Sequence, residues 1–435
     1  MEENSKIPRV IKLPDPLTDS TVATFFLVVN PGLETQARNE AIRYLNATRI
    51  DTVNGGIQFD STWGAVRLGQ PKLRIASRVL IRIDQFGARD FQKLFRKVSN
   101  LPWEQWLKPK VGLLVRAASH GSRLRIKSGI EESVVEAFKK SFKAPPPRPT
   151  QELLCLVRVE DDICTVSLDI SGELLHKRGT HTDVGTAPLR ETWAASIVER
   201  VFEIVSEDEA IAAKLQKGWQ WIEPMAGTAV FLREAISSEP KKADGDSKEE
   251  ADLAKRVFAV DTCFRFERDE NLKAAPVTTA AGPSKFMPKL SRALIADKDE
   301  AQLARAKKAL ATTPNKIPIT FSVRGNPKTD AAQAANAKGE ARLVIVNPPW
   351  GLRLKGPDAT DTTEGQTRLM SKIEQDWQPT LIAIVVPRIA GPAAKVPKNW
   401  VEHRALDFRA GGLPVSARFF TVPSRVKVDK NDAVQ

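Results

Sequence analysis

Apolar residues in this chain recur in two arrangements. In the first third the runs are short and bounded by turn residues. ATFFLVVN (23–30) predicts a strand, Pro31-Gly32 a turn, and ETQARNEAIRYLNA (34–47) a helix with apolar residues at helical spacing. GGIQFD (55–60) reads as a short strand opened by two glycines, and ASRVLIRIDQF (76–86) as a strand alternating apolar with basic residues. DFQKLFRKVSN (90–100) is an amphipathic helix, and residues 111–142 read strand, loop, then a helix beginning near Ser128. Strands and helices mix here without strict alternation, which predicts an α+β region.

After the proline-rich stretch KAPPPRPT (143–150), read as a linker and domain boundary, the arrangement changes. ELLCLVRVEDDICTVSLDIS gives two strands, and 172–205 a basic loop followed by a helix with Pro188 near its start. WQWIEPMAGTAVFLREAI reads strand, tight turn, helix. RALIADKDEAQLARAKKAL reads strand and helix. IPITFSVRGN, ARLVIVNPPW and TLIAIVVPR are further strands, and residues 403–422 form a hairpin around Gly411-Gly412. Continuous apolar strands alternating with helices predict a doubly wound, mostly parallel sheet ending in an antiparallel hairpin. The expected division is 1–145 and 146–435, with a charged insert near 236–290 inside the second domain.

Charge adds to this picture through its distribution. Residues 1–150 carry 25 Lys and Arg against 14 Asp and Glu, so +11 of the chain's net +13 lies in the first third. A basic module ahead of a nearly neutral α/β domain is the footprint of a phosphate-binding partner, a nucleic acid first; a solvated basic face is the plain alternative. Three cysteines and four scattered histidines show no metal-ligand spacing, so no metal is expected. No apolar run reaches the roughly 18 residues of a membrane span, and MEENSKIPRVIKLPD has no apolar signal segment. The expectation is a cytoplasmic protein with no membrane partner.

In an open α/β sheet, ligands bind at the carboxyl ends of the strands. Four such ends carry candidate chemistry. The first is the turn holding Glu223, Met225, Gly227, Thr228 and Ala229, whose small residues let a ligand lie against the backbone at a helix start. Asp297 ends the second strand and suits a ribose diol, because one carboxylate accepts from two hydroxyls. Asn326 follows the third strand and could accept an adenine amino group. Each of these is also ordinary turn or cap chemistry when taken alone.

Asn347-Pro348-Pro349-Trp350 ends the fourth strand. An exocyclic base amine is a poor nucleophile because its lone pair is delocalised into the ring. Two acceptors, the Asn347 side-chain oxygen and the Pro348 carbonyl, can draw both N–H bonds out of the ring plane and free that pair. The prolines hold the carbonyl in place with little entropy to lose. Trp350 offers a stacking face to a flipped base, worth roughly 1–3 kcal/mol. The competing reading is a strand-ending turn with a buried tryptophan.

These motifs together resemble the bacterial large-subunit rRNA guanine-N2 methyltransferases, in which a ferredoxin-like and THUMP RNA-binding region precedes a class I S-adenosylmethionine-dependent domain. NPGLE, GGIQF, ASRVLIRIDQFGARDFQKLF and LPWEQWL resemble the first part. SLDISGELLHKRGT and APLRETWAA resemble the entry to the second. EPMAGTAVFLREA stands where the family has Asp-Pro-Met-Cys-Gly-Ser-Gly-Thr-Phe, and NPPWGLRL where it has Asn-Pro-Pro-Tyr-Gly-Glu-Arg-Leu.

The resemblance implies that Glu223, Gly227 and Asp297 lie around S-adenosyl-L-methionine. It implies that Asn347, Pro348, Pro349 and Trp350 hold the target amine, and that the basic loop Lys177-Arg178 lies near structured RNA, rRNA being the expected kind. This chain departs from the pattern at Glu223 and Asn326, which replace aspartates, at Trp350, which replaces tyrosine, and at Ala229. Ala229 replaces a glycine, which predicts a methyl group where the backbone would approach the cofactor. The alternatives are a degenerate methyltransferase that binds RNA or assists ribosome assembly, and an enzyme acting on tRNA guanosine N2 or on an adenine N6 amine.

Overall fold

The computed structural model describes residues 10–14, 16–53, 55–142, 148–176, 189–237, 257–273, 283–311, 313, 317–323, 340–350, 360–389, 394–410 and 412–422. The chain divides into two units, Met1–Gly179 with Glu250–Ala280, and Thr180–Glu249 with Ala281–Gln435.

The first unit is a seven-stranded sheet. Its elements are β1 (Val22–Val28), α1 (Glu34–Leu45), β2 (Thr48–Val53), β3 (Gly56–Thr62), α2 (Trp63–Gly69), β4 (Arg78–Gly87), α3 (Phe91–Ser99), β5 (Val111–His120), α4 (Lys127–Lys140), β6 (Gln151–Glu160) and β7 (Ile163–Asp169). The strand order is β2-β3-β1-β4-β7-β6-β5. β5 and β6 are parallel, in register from Val111↔Gln151 to His120↔Glu160, and β6–β7 and β7–β4 are antiparallel. Alternate residues of β1 and β3 bury Phe25 and Phe59 in a stack 5.9 Å between centroids, with Trp63 beside Phe25.

The expected boundary at 145/146 is therefore misplaced. The two strands after the proline-rich stretch complete the first sheet, where β6 and β7 supply buried Leu153, Cys155, Val157, Val166 and Leu168. The assignment of the insert is corrected too, because residues 257–273 belong to the first unit. Phe264 is buried edge-on against Trp63 at 5.3 Å. The backbone around it bonds to Trp106 (Arg265 N to Trp106 O, 2.8 Å) and to Leu17 (Glu267 N to Leu17 O, 2.8 Å). Burying two aromatic rings together outweighs sequence distance. Residues 238–256 of the charged insert lie outside the described residues.

The second unit contains α5 (Glu191–Glu207), α6 (Glu209–Gln216), β8 (Trp219–Glu223), α7 (Val230–Ser237), β9 (Leu290–Asp297), α8 (Glu300–Ala311), β10 (Ile319–Val323), β11 (Ala341–Val346), α9 (Thr363–Trp377), β12 (Leu381–Pro387), β13 (Val401–Ala410) and β14 (Leu413–Thr421). The order is β10-β9-β8-β11-β12-β14-β13. The first five strands are mutually parallel, and β14 is antiparallel to both β12 and β13. This is the expected parallel sheet with a terminal hairpin.

β8, β11 and β12 are buried along nearly their whole length, which explains their continuous apolar sequences. One face packs Ile222, Val344, Val346, Ile382 and Ile384 against Met370, Ile373 and Trp377 of α9. Helix α9 has no counterpart among the expected elements. Among the described residues no helix is long and apolar enough to cross a membrane.

Candidate active site

Strand order reverses between β8 and β11. From β8 the chain winds outward through β9 to β10, and from β11 it winds the other way through β12. Ligand crevices form at such a switch point, outside the carboxyl ends of the strands. Of the expected strand ends, the first and fourth therefore lie side by side, because β8 and β11 are parallel neighbours with Ile222 opposite Val344. The second, on β9, lies on the far side of β8.

The turn after β8 is tied down by its own hydrogen bonds. Ala226 N donates to Ala296 O at 2.9 Å, and Ala229 N donates to Ala226 O at 2.8 Å. Asp297 joins the two strand ends, since its Oδ2 accepts from Gly227 N at 2.8 Å while its Oδ1 accepts from Asp299 N at 3.0 Å. Gly227 has φ +54°, a left-handed conformation natural to glycine, and a Cβ added there would meet nothing within 4 Å. The open face of the turn is made by Gly227 with the part-exposed Met225 and Thr228.

Glu223 and Ala229 face inward. Glu223 is 1% exposed, and its Oε1 accepts from Trp221 Nε1 at 2.7 Å and from Leu232 N at 2.8 Å. Its contribution here is to brace the start of α7 from below. Its other oxygen is buried without a hydrogen-bond partner, and burial pushes the carboxyl pKa up to about 8 against the two bonds that favour the charge. Ala229 is fully buried. Its backbone holds φ +54°, a left-handed conformation costing an L-residue roughly 1–2 kcal/mol.

The loop after β11 is held differently. Trp350 is half-buried and donates from Nε1 to the carbonyl of Val385 on β12 at 3.2 Å. The Pro349 carbonyl accepts twice from Thr360, from its N at 3.2 Å and its Oγ1 at 3.1 Å. Gln366 on α9, 6% exposed, donates from Nε2 to the carbonyls of Thr360 at 3.0 Å and Pro387 at 2.9 Å. Asn347 Oδ1 is buried and has no hydrogen-bond partner among the described residues. Buried acceptors without partners are uncommon in folded proteins, and Glu223 Oε2 in the neighbouring turn is a second one. Gln366 and Pro387 also line a cleft with Thr363, Val386, Arg388 and Arg418.

Lys177, Arg178 and Asn326 lie outside the described residues. Sequence reasoning missed Thr360, Gln366 and Trp221. The first two lie on or beside the unexpected helix α9, and a Thr-Gln pair carries no pattern that marks it in advance. Among the described residues no group of three or more His, Cys, Asp and Glu is placed to share a metal ion.

Residues 88–169 match the family model of the THUMP domain. Their span, α3 to β7 with β6 and β7 included, agrees with the sheet rather than with the expected boundary. Over 93% of its length the chain superposes on solved structures covered almost entirely in return. These include a possible methylase from Clostridium difficile 630 (TM-score 0.66, 18% identity, 99% of that chain). TrmN from Thermus thermophilus is similar (TM-score 0.61, 17% identity, 100% of that chain). So is SMU.472, solved in complex with SAH (TM-score 0.64, 19% identity, 99% of that chain). The fold is a THUMP region joined to a class I methyltransferase domain.

Among curated proteins, the chain is similar to the ribosomal RNA large subunit methyltransferase K/L of Photobacterium profundum, 25% identical over 352 residues. That alignment covers 76% of this chain and 44% of the relative. It is also similar to the protein of that name from Pseudomonas syringae pv. tomato, 30% identical over 295 residues, which cover 65% of this chain and 36% of the relative. The chain thus spans less than half the length of the curated relatives it matches.

Proposed function

We propose that this chain is an S-adenosyl-L-methionine-dependent RNA methyltransferase of the cytoplasm, acting on an exocyclic base amine, guanine N2 of structured large-subunit rRNA. The observation that carries this reading is the unpartnered, buried Oδ1 of Asn347 at the end of β11. It stands beside the strand whose turn has an open glycine face. The names of the curated relatives support rRNA as the substrate, and the SAH bound to SMU.472 supports the cofactor.

The residues present fit that cofactor. Gly227 leaves open space where a side chain would intrude, Met225 and Thr228 flank it, and the Asp297 carboxylate ends the adjacent strand with acceptor capacity left on each oxygen. When bound, S-adenosyl-L-methionine supplies an electrophilic methyl group. Asn347 Oδ1 accepts one N–H of the target amine and the Pro348 carbonyl the other. This directs the nitrogen lone pair out of the ring plane and raises its nucleophilicity. Trp350, its indole fixed to Val385 O, stacks against the base. The THUMP region and the basic first third engage the RNA backbone.

The binding-only alternative rests on the departures at Glu223, Ala229, Asn326 and Trp350 and on the charged insert together; at one of these positions, Ala229, full burial supports the enzyme reading. Calorimetry with S-adenosyl-L-methionine tests the cofactor, where binding in the micromolar range is expected and no heat at millimolar ligand would overturn the reading. Nucleoside mass spectrometry of RNA from a deletion strain tests the target. The expected result is loss of an N2-methylguanosine from large-subunit rRNA; loss from tRNA would reassign the substrate.

A further inference from the structure

The loop that carries Asn347 contains two prolines, which donate no backbone hydrogen bond. Its shape must be held through its carbonyls and its tryptophan. Pro349 restricts ψ of Pro348, and Pro348 restricts ψ of Asn347, since a residue before proline is confined to extended conformations. No such restriction acts on Pro349, which precedes Trp350. That torsion is fixed instead by the two bonds that Thr360 donates to the Pro349 carbonyl.

Thr360 is fully buried, and its own carbonyl is held by Gln366. The same amide nitrogen of Gln366 holds the carbonyl of Pro387, two residues beyond the Val385 carbonyl that receives the Trp350 indole. Both anchors of the loop thus end on the last residues of β12. A side-chain amide nitrogen has two protons, and Gln366 uses both to join loop and strand. With this network in place, hydrogen bonds reach the Pro349 carbonyl, while Asn347 Oδ1 is left without one.

We infer that Gln366 and Thr360 are positioning residues for the target amine. Gln366 clamps Thr360 to the end of β12, Thr360 fixes the Pro349 carbonyl, and the acceptor pair of Asn347 and Pro348 is held ready before the base arrives. This rests on the reading of the Asn347 loop as the amine site. Geometry supplied in advance removes an ordering cost from the reaction, and small misplacements of reacting groups lower rates by up to about 10²-fold. Neither side chain needs to touch RNA or cofactor for this effect.

The test uses the full chain with Gln366→Met, which keeps length but removes both donors, with Thr360→Val, and with Thr360→Ser as the conservative control. Methyl transfer to rRNA should show kcat lowered by about 10- to 100-fold in the first two variants. KM for RNA and the cofactor dissociation constant should stay within about threefold, and Thr360→Ser should recover most of the rate. Hydrogen exchange should accelerate in the peptide covering 344–350 and not in 223–232. Unchanged kcat in both variants, or a loss that Thr360→Ser does not recover, would overturn the inference. If the wild type methylates no RNA, the function assignment fails by itself. The exchange measurement then decides the clamp, and unchanged protection of 344–350 in Gln366→Met overturns it.

Discussion

The turn after β8 and the loop after β11 leave neighbouring strands of one sheet, yet their hydrogen bonding differs. In the turn, the backbone N–H groups of Ala226, Gly227, Ala229 and Leu232 all find partners within the protein. Glu223 and Ala229, which differ from the pattern that the chain resembles, are both buried. In the loop, the tryptophan is tied to β12 and the second proline to Thr360, while the asparagine keeps a buried oxygen without a partner among the described residues. Both segments hold a buried, unpaired side-chain oxygen, Glu223 Oε2 and Asn347 Oδ1, so what separates them is the backbone: the turn is fixed by its own N–H groups, the loop by Thr360 and by the Trp350 indole.

Substitutions can break or sharpen this contrast. On the loop side, a large effect on substrate binding is expected from Trp350→Ala, which removes both the stacking face and the indole bond to Val385 O. It should raise KM for RNA roughly 10- to 100-fold, corresponding to about 1–3 kcal/mol of stacking, with cofactor affinity intact. A variant that loses cofactor binding instead would place Trp350 on the wrong side of the site.

On the turn side, Gly227→Ala separates strain from occupancy. The left-handed φ predicts a stability loss of about 1–2 kcal/mol by denaturant titration, because the added methyl meets no protein atom. Cofactor affinity should fall by about tenfold or more as the methyl enters the open face. Affinity that tracks only the stability loss would mean that this face is not used.

Glu223 gives a pH signature. Its ordinary carboxyl pKa of 4.5 is raised to about 8 in the fold. The folded state therefore favours the protonated form, its stability contribution is fully present below the unfolded pKa, and it is lost as pH rises from there through about 8. The thermal midpoint should fall over that window, and Glu223→Gln should fall less steeply. Parallel curves for the two proteins would contradict the assignment of the buried proton.

The smallest effect belongs to Ala229→Gly, which relieves a left-handed alanine. It should stabilise the fold by up to about 1 kcal/mol and leave cofactor affinity unchanged. A large gain in affinity would show that the methyl group does obstruct the cofactor.

The parallel sheet, the hairpin and the strand ends at Glu223, Asp297 and Asn347 were legible in sequence because they rest on local signals: apolar runs closed by Gly, Pro, Asn or Asp. The return of Phe264 to Trp63 was not, because it joins residues some 200 positions apart and leaves no local mark. The membership of β6 was hidden by a proline-rich stretch that reads as a boundary while the strand beyond it pairs back with β5. Helix α9 was diluted by polar residues between Leu369, Met370, Ile373 and Trp377, and with it went Gln366. The motif Asn-Pro-Pro-Trp was visible, but the unpartnered oxygen that gives it meaning is a property of three-dimensional bonding.

That oxygen is most directly tested by single-turnover transfer of a labelled methyl group to large-subunit rRNA by the wild type and by Asn347→Ala, with cofactor affinity measured on both. Loss of one preorganised polar contact to the reacting group predicts a rate lower by about 10²–10³-fold at unchanged cofactor affinity. Equal incorporation by the two proteins would contradict the role assigned to Asn347, and with it the account of the site.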